Sequence, residues 1–392
     1  MKKILISGAG VAGLSLAICL QRMGIPFNLI EKSQQLNFSG AGIALPANAV
    51  KALRYIGLGE ALDNCAHRVS EIIYTKANGK VLSRASLREP PYDYDYFVAL
   101  HRKQLYQILL QQLKEEIIFN TQIKTLKQTD NGVMVTFSTS NLKNETYAAV
   151  IGADGINSSV RRLVFHDSEL VDLGMTTWRW LSAAPAENLQ PTYMLGSKAL
   201  LMGYPIQQDT VYCYAHICDP NNAYAHSLNH TAVLQEQFKK FAGIAPKLLA
   251  SLPTDTEIIQ GRLRSVAQPL FSQGKVALIG DASSACSPTL QQGAASALED
   301  VIVLSELLKY FNSNIEKAFK FYENYRRQRV NWVVNASDTP MKMAFKANSR
   351  LSLFLRDLLI KFKGPINMQG WRQLFATDPI AGLENYIADC KL

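Results

Sequence analysis

The chain has 392 residues, which exceeds what one simple core accommodates and predicts about two to three domains or closely joined lobes. Hydrophobic residues make up 48% and charged residues 19%, a globular composition that excludes a low-complexity or disordered chain. The net charge is +9, but no nucleic-acid motif accompanies it and no apolar run reaches the roughly 18 residues of a membrane span, so we expect neither nucleic-acid binding nor a transmembrane segment.

The start of the chain predicts a dinucleotide-binding turn. Residues 3–7 form an apolar run typical of a strand, and G-x-G-x-x-G follows from Gly8 to Gly13. A helical pattern covers residues 14–23, and a second strand over 26–30 ends at Glu31. Strand, glycine turn, helix, strand and terminal acid together are far more specific than the glycines alone.

Each glycine of this turn has a physical role. Gly8 permits the tight turn, Gly10 lets the backbone approach a pyrophosphate, and Gly13 lets helix and strand pack closely. The phosphate charge lies at the helix N-terminus. The Glu31 carboxylate can bond ribose hydroxyls and disfavours a 2′-phosphate, so FAD or NAD is expected here rather than NADP. Ala12 and Lys32 complete the predicted binding set.

Two later segments distinguish FAD from NAD. Residues 148–155 (AAVIGADG) predict a buried strand that ends in Asp154-Gly155, and residues 275–281 (KVALIGD) predict another that ends in Gly280-Asp281. Pro288, Gly293 and Ala294 follow, and then a helix over 295–308 that carries Glu299-Asp300. A simple NAD domain would not need the last two strand–turn segments.

These three motifs resemble those of the flavoprotein aromatic hydroxylases, the family of para-hydroxybenzoate hydroxylase and salicylate hydroxylase. The resemblance covers roughly residues 1–165 and 265–340. It implies non-covalently bound FAD, with Asp281 on the ribityl chain. It also implies that the backbone of Gly293 and Ala294 faces the flavin pyrimidine, where helix N-terminal donors stabilise negative charge.

The resemblance assigns further residues beside FAD. Arg102 matches the arginine that opens a helix next to the cofactor; a solvated charge at a helix start is the alternative. The loop 40–43, with Gly42, resembles the family's loop beside the flavin ring. Asp154 is expected to serve both FAD and the nicotinamide donor, and a purely structural turn is its alternative.

Two positions depart from the family pattern. Ser284 stands where a histidine is frequent, and Gln291 replaces the first glycine of G-Q-G. Both are expected close to where flavin and substrate meet. They leave FAD binding intact and put the transfer of a specific substrate in doubt.

Residues 164–264 change to short alternating runs, which predict an antiparallel sheet. The two-residue period puts Tyr212, Tyr214 and His216 on one strand face. Arg179 is central in an aromatic strand, and Tyr204 belongs to a Gly-Tyr-Pro ending similar to the family's. A substrate wall and ordinary cross-strand packing are both open interpretations. No catalytic residue is predicted.

The expected fold is α/β: a Rossmann-like FAD-binding domain with an inserted antiparallel-sheet substrate domain and C-terminal helices. The FAD-binding domain is assigned to residues 1–70, 98–165 and 265–345, the substrate domain to 71–97 and 166–264, and a helical extension to 346–392.

The tail predicts two helices, over 316–332 and 348–363. The second is amphipathic, with an apolar stripe of Leu351, Phe354, Leu355, Leu358, Leu359 and Phe362. We favour a core- or partner-facing helix over a membrane-surface one. Twelve Lys/Arg against four Asp/Glu between residues 309 and 363 are interpreted as solvated helix faces rather than a nucleic-acid site.

The family's chemistry implies the function. NADH or NADPH reduces FAD, dioxygen adds at flavin C4a to give a hydroperoxide, and one oxygen atom passes to an aromatic or polycyclic small molecule. An FAD reductase or dehydrogenase on the same fold and a non-catalytic flavoprotein are the alternatives. The oligomeric state is left open between monomer and homodimer.

The six cysteines are scattered, and no spacing typical of a metal site occurs. We therefore expect no metal and mostly reduced, buried thiols. Reduced cysteines favour a cytoplasmic location.

Overall fold

The computed structural model of the chain describes residues 2–36, 41–138, 142, 144–165, 169–183, 189–225, 227–312, 314–344 and 349–389. Within these ranges the strands are, in chain order, β1 Ile4–Ser7, β2 Phe27–Ile30, β3 Gly42–Leu45, β4 His67–Val69, β5 Glu71–Lys76, β6 Val81–Ser86, β7 Phe97–His101, β8 Ile117–Ile118, β9 Ile123–Thr129, β10 Gly132–Phe137, β11 Glu145–Tyr147, β12 Ala149–Gly152, β13 Leu170–Ser182, β14 Thr192–Leu195, β15 Ala199–Gln207, β16 Thr210–Cys218, β17 Ile259–Val266, β18 Ser272–Gln273 and β19 Val276–Leu278.

The α-helices of the same ranges are α1 Val11–Arg22, α2 Ala47–Tyr55, α3 Gly59–Asp63, α4 Arg102–Gln112, α5 Ser159–Val164, α6 His230–Phe238, α7 Ala245–Ala250, α8 Asp281–Ser284, α9 Gly293–Phe311, α10 Ile315–Ala344, α11 Arg350–Lys363, α12 Ile366–Phe375 and α13 Leu383–Asp389. Short 3₁₀ turns cover Tyr92–Tyr94, Asp255–Glu257 and Pro288–Leu290.

A mainly parallel sheet organises the first lobe, in the order β18-β19-β12-β1-β2-β8. Strand β1 pairs in parallel with both β2 and β12, and β12 pairs in parallel with β19. The three strands that were predicted to end in glycine and acidic turns therefore lie side by side. Because parallel strands all end at one edge, their turns gather at that edge of the sheet.

The two faces of this sheet are buried against different layers. Ile4 and Ile6 point into a core that also contains residues of α1 and α9. Leu5, between them, points to the opposite face, where it packs with residues of α5 and of the small antiparallel sheet β11-β10-β9. Because side chains alternate along a strand, the apolar residues of β1 are buried against a different layer on each face of the sheet.

The second lobe is a seven-stranded sheet in the order β17-β13-β16-β15-β14-β5-β6. Neighbours pair antiparallel except β14 with β5, which are parallel. Trp178 and Trp180 of β13 pack under α6 and α7, while Tyr212 and Tyr214 of β16 point to the opposite face. The predicted α/β class with an inserted antiparallel sheet is confirmed.

A buried ion-pair network joins α9, α10 and the Gly280 turn. Arg326 donates to Glu299 at 2.7 Å and to Asp300 at 2.8 Å, and all three side chains are nearly inaccessible to solvent. The other oxygen of Asp300 accepts the Gly280 N–H at 3.0 Å. Arg329 donates to both oxygens of Glu299 at 2.9 Å.

The network also determines how Glu299 responds to pH. Burial alone would raise the pKa of the Glu299 carboxyl, but Arg329 and Arg326 together lower it from 4.5 to about 2. Stability from this ionised carboxylate is therefore complete above about pH 4.5 and is lost as the pH falls toward 2.

The helices of the tail differ from the sequence prediction. Helix α10 runs to Ala344, twelve residues beyond the predicted end, and passes through Pro340. Helix α11 begins at Arg350, and Asn348, where the prediction began, lies outside the described residues. The core-facing interpretation of the α11 apolar stripe is wrong, since all six of its apolar residues are exposed.

Within the described residues, every helix is too short or too polar to cross a bilayer. The described cysteines, which exclude Cys390, carry free thiols.

Replacing Arg326 with Met should lower the free energy of unfolding by about 3–5 kcal/mol, because Asp300 would stay buried without a cation and Glu299 would retain only Arg329. The matched control is Arg327→Met on the same helix, where the exposed side chain pairs with Glu323 at the surface and the expected loss is below about 1 kcal/mol. Denaturant unfolding at pH 7 measures both. Equal losses in the two variants would contradict a central role for the network.

Candidate cofactor and substrate site

A first cavity, of about 320 Å³, lies at the ends of the parallel strands. It is lined by predicted residues from all along the first motif and the mid-chain turn: Gly8, Gly10, Glu31, Lys32 and Asp154. It is also lined by residues that the sequence did not single out for this purpose: Thr121, Gln122, Asn157, Ser159 and Arg162. The polar lining suits a nucleotide with phosphates and ribose hydroxyls.

The three motif glycines differ in what a side chain at each position would contact. Gly8 has φ +105°, and a Cβ there would lie 2.5 Å from the Ala153 carbonyl oxygen. A Cβ on Gly13 would lie 1.9 Å from the Gly8 carbonyl oxygen. A Cβ on Gly10 would meet only the Tyr106 hydroxyl, at 3.9 Å. The protein itself requires Gly8 and Gly13, whereas at Gly10 the open space faces the cavity.

The acidic residues of this cavity already have backbone partners. Glu31 accepts the Ala9 N–H and the Ser33 N–H, each at 3.0 Å, which fixes its carboxylate beside the glycine turn. Asp154 accepts bonds from residues at the start of α5, including the Ser159 N–H at 2.7 Å and the Ser159 hydroxyl at 2.8 Å. The structural role of Asp154 is therefore present, and a role toward a ligand stays a prediction.

A second cavity, of about 470 Å³, lies between the parallel-sheet lobe and the seven-stranded sheet. The predicted residues that line it are Gly42, Arg102, Arg179, Tyr212, Tyr214, His216, Asp281, Pro288, Gly293 and Ala294. Gly42 cannot carry a side chain there, because a Cβ would lie 2.5 Å from the Tyr212 Cβ. Gly40 of the same predicted loop lies outside the described residues.

Asp281 and Arg102 provide the charges on the first lobe's side of this cavity. No hydrogen bond from a described residue reaches the Asp281 carboxylate, which is open to the cavity. The surrounding protein shields it from bulk water and so raises its pKa, while Arg102 and Arg161 oppose the rise. Arg102 opens α4, as predicted, and its Nε is buried without a partner among the described residues. Two polar groups thus face the cavity with unused hydrogen-bonding capacity.

A helix N-terminus also faces the cavity. Gly293 and Ala294 form the first turn of α9, whose N-cap Gln292 supplies no side-chain cap. The first N–H groups of a helix have no acceptor within the helix, so this turn presents donors and a partial positive charge.

The strand face predicted in the second lobe lines the cavity with mostly neutral groups. Tyr214 and His216 are bonded through the hydroxyl and Nδ1 at 3.2 Å, and burial lowers the pKa of His216 to about 4. Burial raises the pKa values of Tyr212 and Tyr214. Arg179 is the cation of this face, and its Nε has no partner among the described residues.

Tyr204 does not line the cavity but lies directly behind it. Its hydroxyl is 3.0 Å from that of Tyr193, and Gln291 Nε2 donates to Tyr193 at 2.6 Å and to Tyr204 at 3.1 Å. Tyr193 stacks on Tyr74 with ring centroids 4.5 Å apart. The sequence did not identify Tyr193 or Tyr74, because neither belongs to a motif. It did single out Gln291, whose side chain contacts Tyr193.

Some predicted residues lie elsewhere. Ala12 and Gly13 are buried in the packing of α1 and line neither cavity. Ser284, expected near flavin and substrate, is buried within the turn, and its hydroxyl donates to the Gly280 carbonyl at 3.4 Å. In the part of the chain that the structure describes, no group of three or more metal-binding side chains comes together.

Comparison with known proteins identifies the family. The family model of the FAD binding domain matches residues 1–337. The chain belongs to this family. The predicted cofactor, FAD, is confirmed, and so is the resemblance to flavoprotein aromatic hydroxylases.

Relatives in this family are hydroxylating enzymes. The chain is 28% identical over 374 residues to the 2-heptyl-3-hydroxy-4(1H)-quinolone synthase of Pseudomonas aeruginosa, which covers 91% of this chain and 93% of that one. It is 28% identical over 358 residues to the 3-hydroxybenzoate 6-hydroxylase of Polaromonas naphthalenivorans, covering 85% and 86%. Klebsiella pneumoniae HpxO, solved with FAD and uric acid, shares the fold with a TM-score of 0.81 at 21% identity over 99% and 96% of the chains.

The residues present fit FAD on three observations. The glycine turn leaves open space beside Gly10, Asp281 presents a carboxylate without a hydrogen-bond partner among the described residues, and Arg102 has an orphaned Nε. The first cavity would hold the adenosine and phosphates, and the second would hold the flavin ring with room for a substrate.

Gly10→Val should leave the fold intact, because the added Cβ meets no protein atom closer than 3.9 Å. It should abolish FAD binding, because the side chain would enter the space where we expect the pyrophosphate. Gly13→Val is the matched contrast. It should destabilise the strand–helix unit itself, since its Cβ would overlap the Gly8 carbonyl oxygen. Circular dichroism and flavin absorbance separate the outcomes, and a folded, fully yellow Gly10→Val protein would overturn this placement.

Asp281→Ala should lower FAD affinity about 10- to 100-fold, the value of a charge-assisted hydrogen bond, without destabilising the apoprotein. The carboxylate has no hydrogen-bond donor among the described residues, so its removal breaks no such bond within the fold. Ser284→Ala, in the same turn but outside both cavities, should retain FAD. Fluorescence titration of apoprotein with FAD measures both, and equal affinities would count against the ribityl role.

Proposed function

We propose that the protein is an FAD-dependent monooxygenase that uses NAD(P)H and dioxygen to insert one oxygen atom into a flat, oxygen-substituted aromatic or polycyclic small molecule. Membership of the FAD-binding family supports the class. The observation that carries the substrate side is the second cavity: aromatic walls, a helix N-terminus on one side and Arg179 on the other. Bound FAD would supply the hydride acceptance and dioxygen activation for which side chains are unsuited.

The chain's own residues would bind, orient and exclude water. Asp281 and Arg102 would hold the cofactor between the first and second cavities. The N–H groups of Gly293 and Ala294 would stabilise negative charge that develops on the reduced ring. Tyr212 and Tyr214 stay neutral because burial raises their pKa values, so they would act as hydrogen-bond donors rather than as bases.

The substrate class follows from shape and charge. A cavity walled by Tyr74, Tyr193 and Tyr212 suits a planar ring, and Arg179 suits a phenolate, carboxylate or ring carbonyl oxygen. The named substrates or products of the compared proteins, a hydroxyquinolone, a hydroxybenzoate and uric acid, share those features. His216 is held neutral by burial, so on its sheet face the positive charge for an acidic edge comes from Arg179.

The test is a panel of hydroxybenzoates, quinolones and larger polycyclic phenols, scored for stimulated NAD(P)H oxidation. The expected result is oxygen consumption that depends on one compound class, with a mass gain of one oxygen in the product. Denaturation should release unmodified FAD. Substrate consumption without oxygen uptake would identify a reductase or dehydrogenase instead, and a flavin that no nicotinamide bleaches would favour a non-catalytic flavoprotein.

Arg179→Gln tests whether Arg179 binds the substrate. For an active compound it should lower kcat/KM by about 10- to 100-fold, because a charged hydrogen bond to substrate is lost, while FAD content is unchanged. Arg264→Gln, on the neighbouring strand β17 and outside both cavities, is the control and should act as wild type.

A further inference from the structure

Helix α11 is amphipathic, but its apolar stripe faces solvent, whereas the apolar side of an ordinary surface helix faces the protein. Its apolar stripe, defined above from Leu351 to Phe362, faces solvent: Phe362 is 75% exposed and Leu351 67%. At 3.6 residues per turn the six side chains fill an arc of about 140°. Scattered exposed apolar residues are ordinary, but a contiguous stripe marks an interaction surface.

The polar side of α11 faces the protein. Asp357 is buried and pairs with Lys76 of β5 at 2.8 Å. Arg356 donates to the Gly196 carbonyl at 2.6 Å and also contacts Asp357. Ile360 is the buried apolar residue on this side. These specific polar contacts fix the rotation of the helix, so the apolar stripe cannot turn inward without breaking an ion pair.

The side of α11 opposite the stripe lines the second cavity. Ile360 and Arg356 of α11, Met341 of α10 and Ile366 of α12 line that cavity. Met343 of α10 and Ile366 of α12, which precede and follow α11 in the chain, are also exposed. The same three helices therefore contribute both cavity-lining residues and exposed apolar residues.

Positive charge flanks the stripe. Within α11, Arg350, Lys361 and Lys363 are exposed, and the Asp of the helix, Asp357, is already paired with Lys76. Lys361 and Lys363 lie on the two sides of the apolar arc and are exposed. An apolar stripe bordered by lysines and arginines is the pattern of a helix that lies in the interface of a bilayer with anionic lipids.

We propose that α11 docks the protein on an anionic membrane surface, with its stripe in the headgroup region and the second cavity behind the docked helix. The occupant is an anionic phospholipid surface and not a second copy of the chain. Exposed lysines border the stripe, so its charge is complementary to anionic headgroups. Two such faces would also bring like charges together.

Sedimentation of the full-length, FAD-loaded protein with vesicles tests the proposal. Vesicles of phosphatidylcholine and phosphatidylglycerol in equal parts should bind the protein, vesicles of phosphatidylcholine alone should bind it much less, and added salt should weaken binding. Phe354→Ser with Phe362→Ser should lower the partition coefficient at least about tenfold. Lys361→Gln with Lys363→Gln should lower it about tenfold for the anionic vesicles only.

Leu228→Ser is the control, because Leu228 is 88% exposed but distant in sequence from the stripe, and it should leave binding unchanged. Flavin absorbance and circular dichroism should be unchanged in all variants, since the replaced side chains are exposed. The proposal is overturned if the wild type stays in the supernatant with both vesicles, or if the double Phe variant binds as well as wild type. It is also overturned if sedimentation analysis shows a dimer that only the double Phe variant dissociates, without vesicle binding.

Discussion

The pairing of buried charges by Arg326 is the constraint on which the site depends. Its guanidinium bridges Glu299 and Asp300, while Arg329 supplies a second positive charge to Glu299. Asp300 in turn accepts the amide N–H of Gly280 at the turn that presents Asp281. A buried carboxylate without a cation is strongly disfavoured, so the three segments have one arrangement that satisfies them all. Apolar packing alone would bury α9 and α10 but would not fix the direction of the turn at Gly280.

The glycine motif shows why a pattern alone is a weak argument for a ligand. Gly8 and Gly13 are required by contacts within the protein, with Ala153 and with each other, and the fold would need them even without a cofactor. Gly10 differs, because nothing in the protein opposes a side chain there. The cofactor assignment therefore depends on Gly10, on the unbonded carboxylate of Asp281 and on the family match, rather than on the count of glycines.

Local patterns made the first lobe predictable, and long-range pairing made the rest unpredictable. The strands β1, β12 and β19 and their turns consist of short apolar runs followed by glycine and acidic residues. Fold class, cofactor and the cavity residues at these strand ends therefore followed from the sequence. Tyr193 reaches the site through sheet pairing and a bond to Gln291, ninety-eight positions away, which no local pattern reports. The direction of the α11 stripe was missed because periodicity shows that a helix is amphipathic, while the Lys76–Asp357 pair decides which side faces the protein.

Gln291 stands where the resemblance to the flavoprotein aromatic hydroxylases predicts a glycine. Its backbone has φ +54°, a left-handed conformation that costs a residue with a side chain about 1–2 kcal/mol and that the family's glycine adopts freely. The Gln291 amide offsets that cost by donating to Tyr193 and Tyr204. A glycine would leave both hydroxyls without this donor and the cavity wall without this side chain. The Gln291 side chain therefore ties the loop before α9 to the tyrosines of the seven-stranded sheet, at the wall of the second cavity.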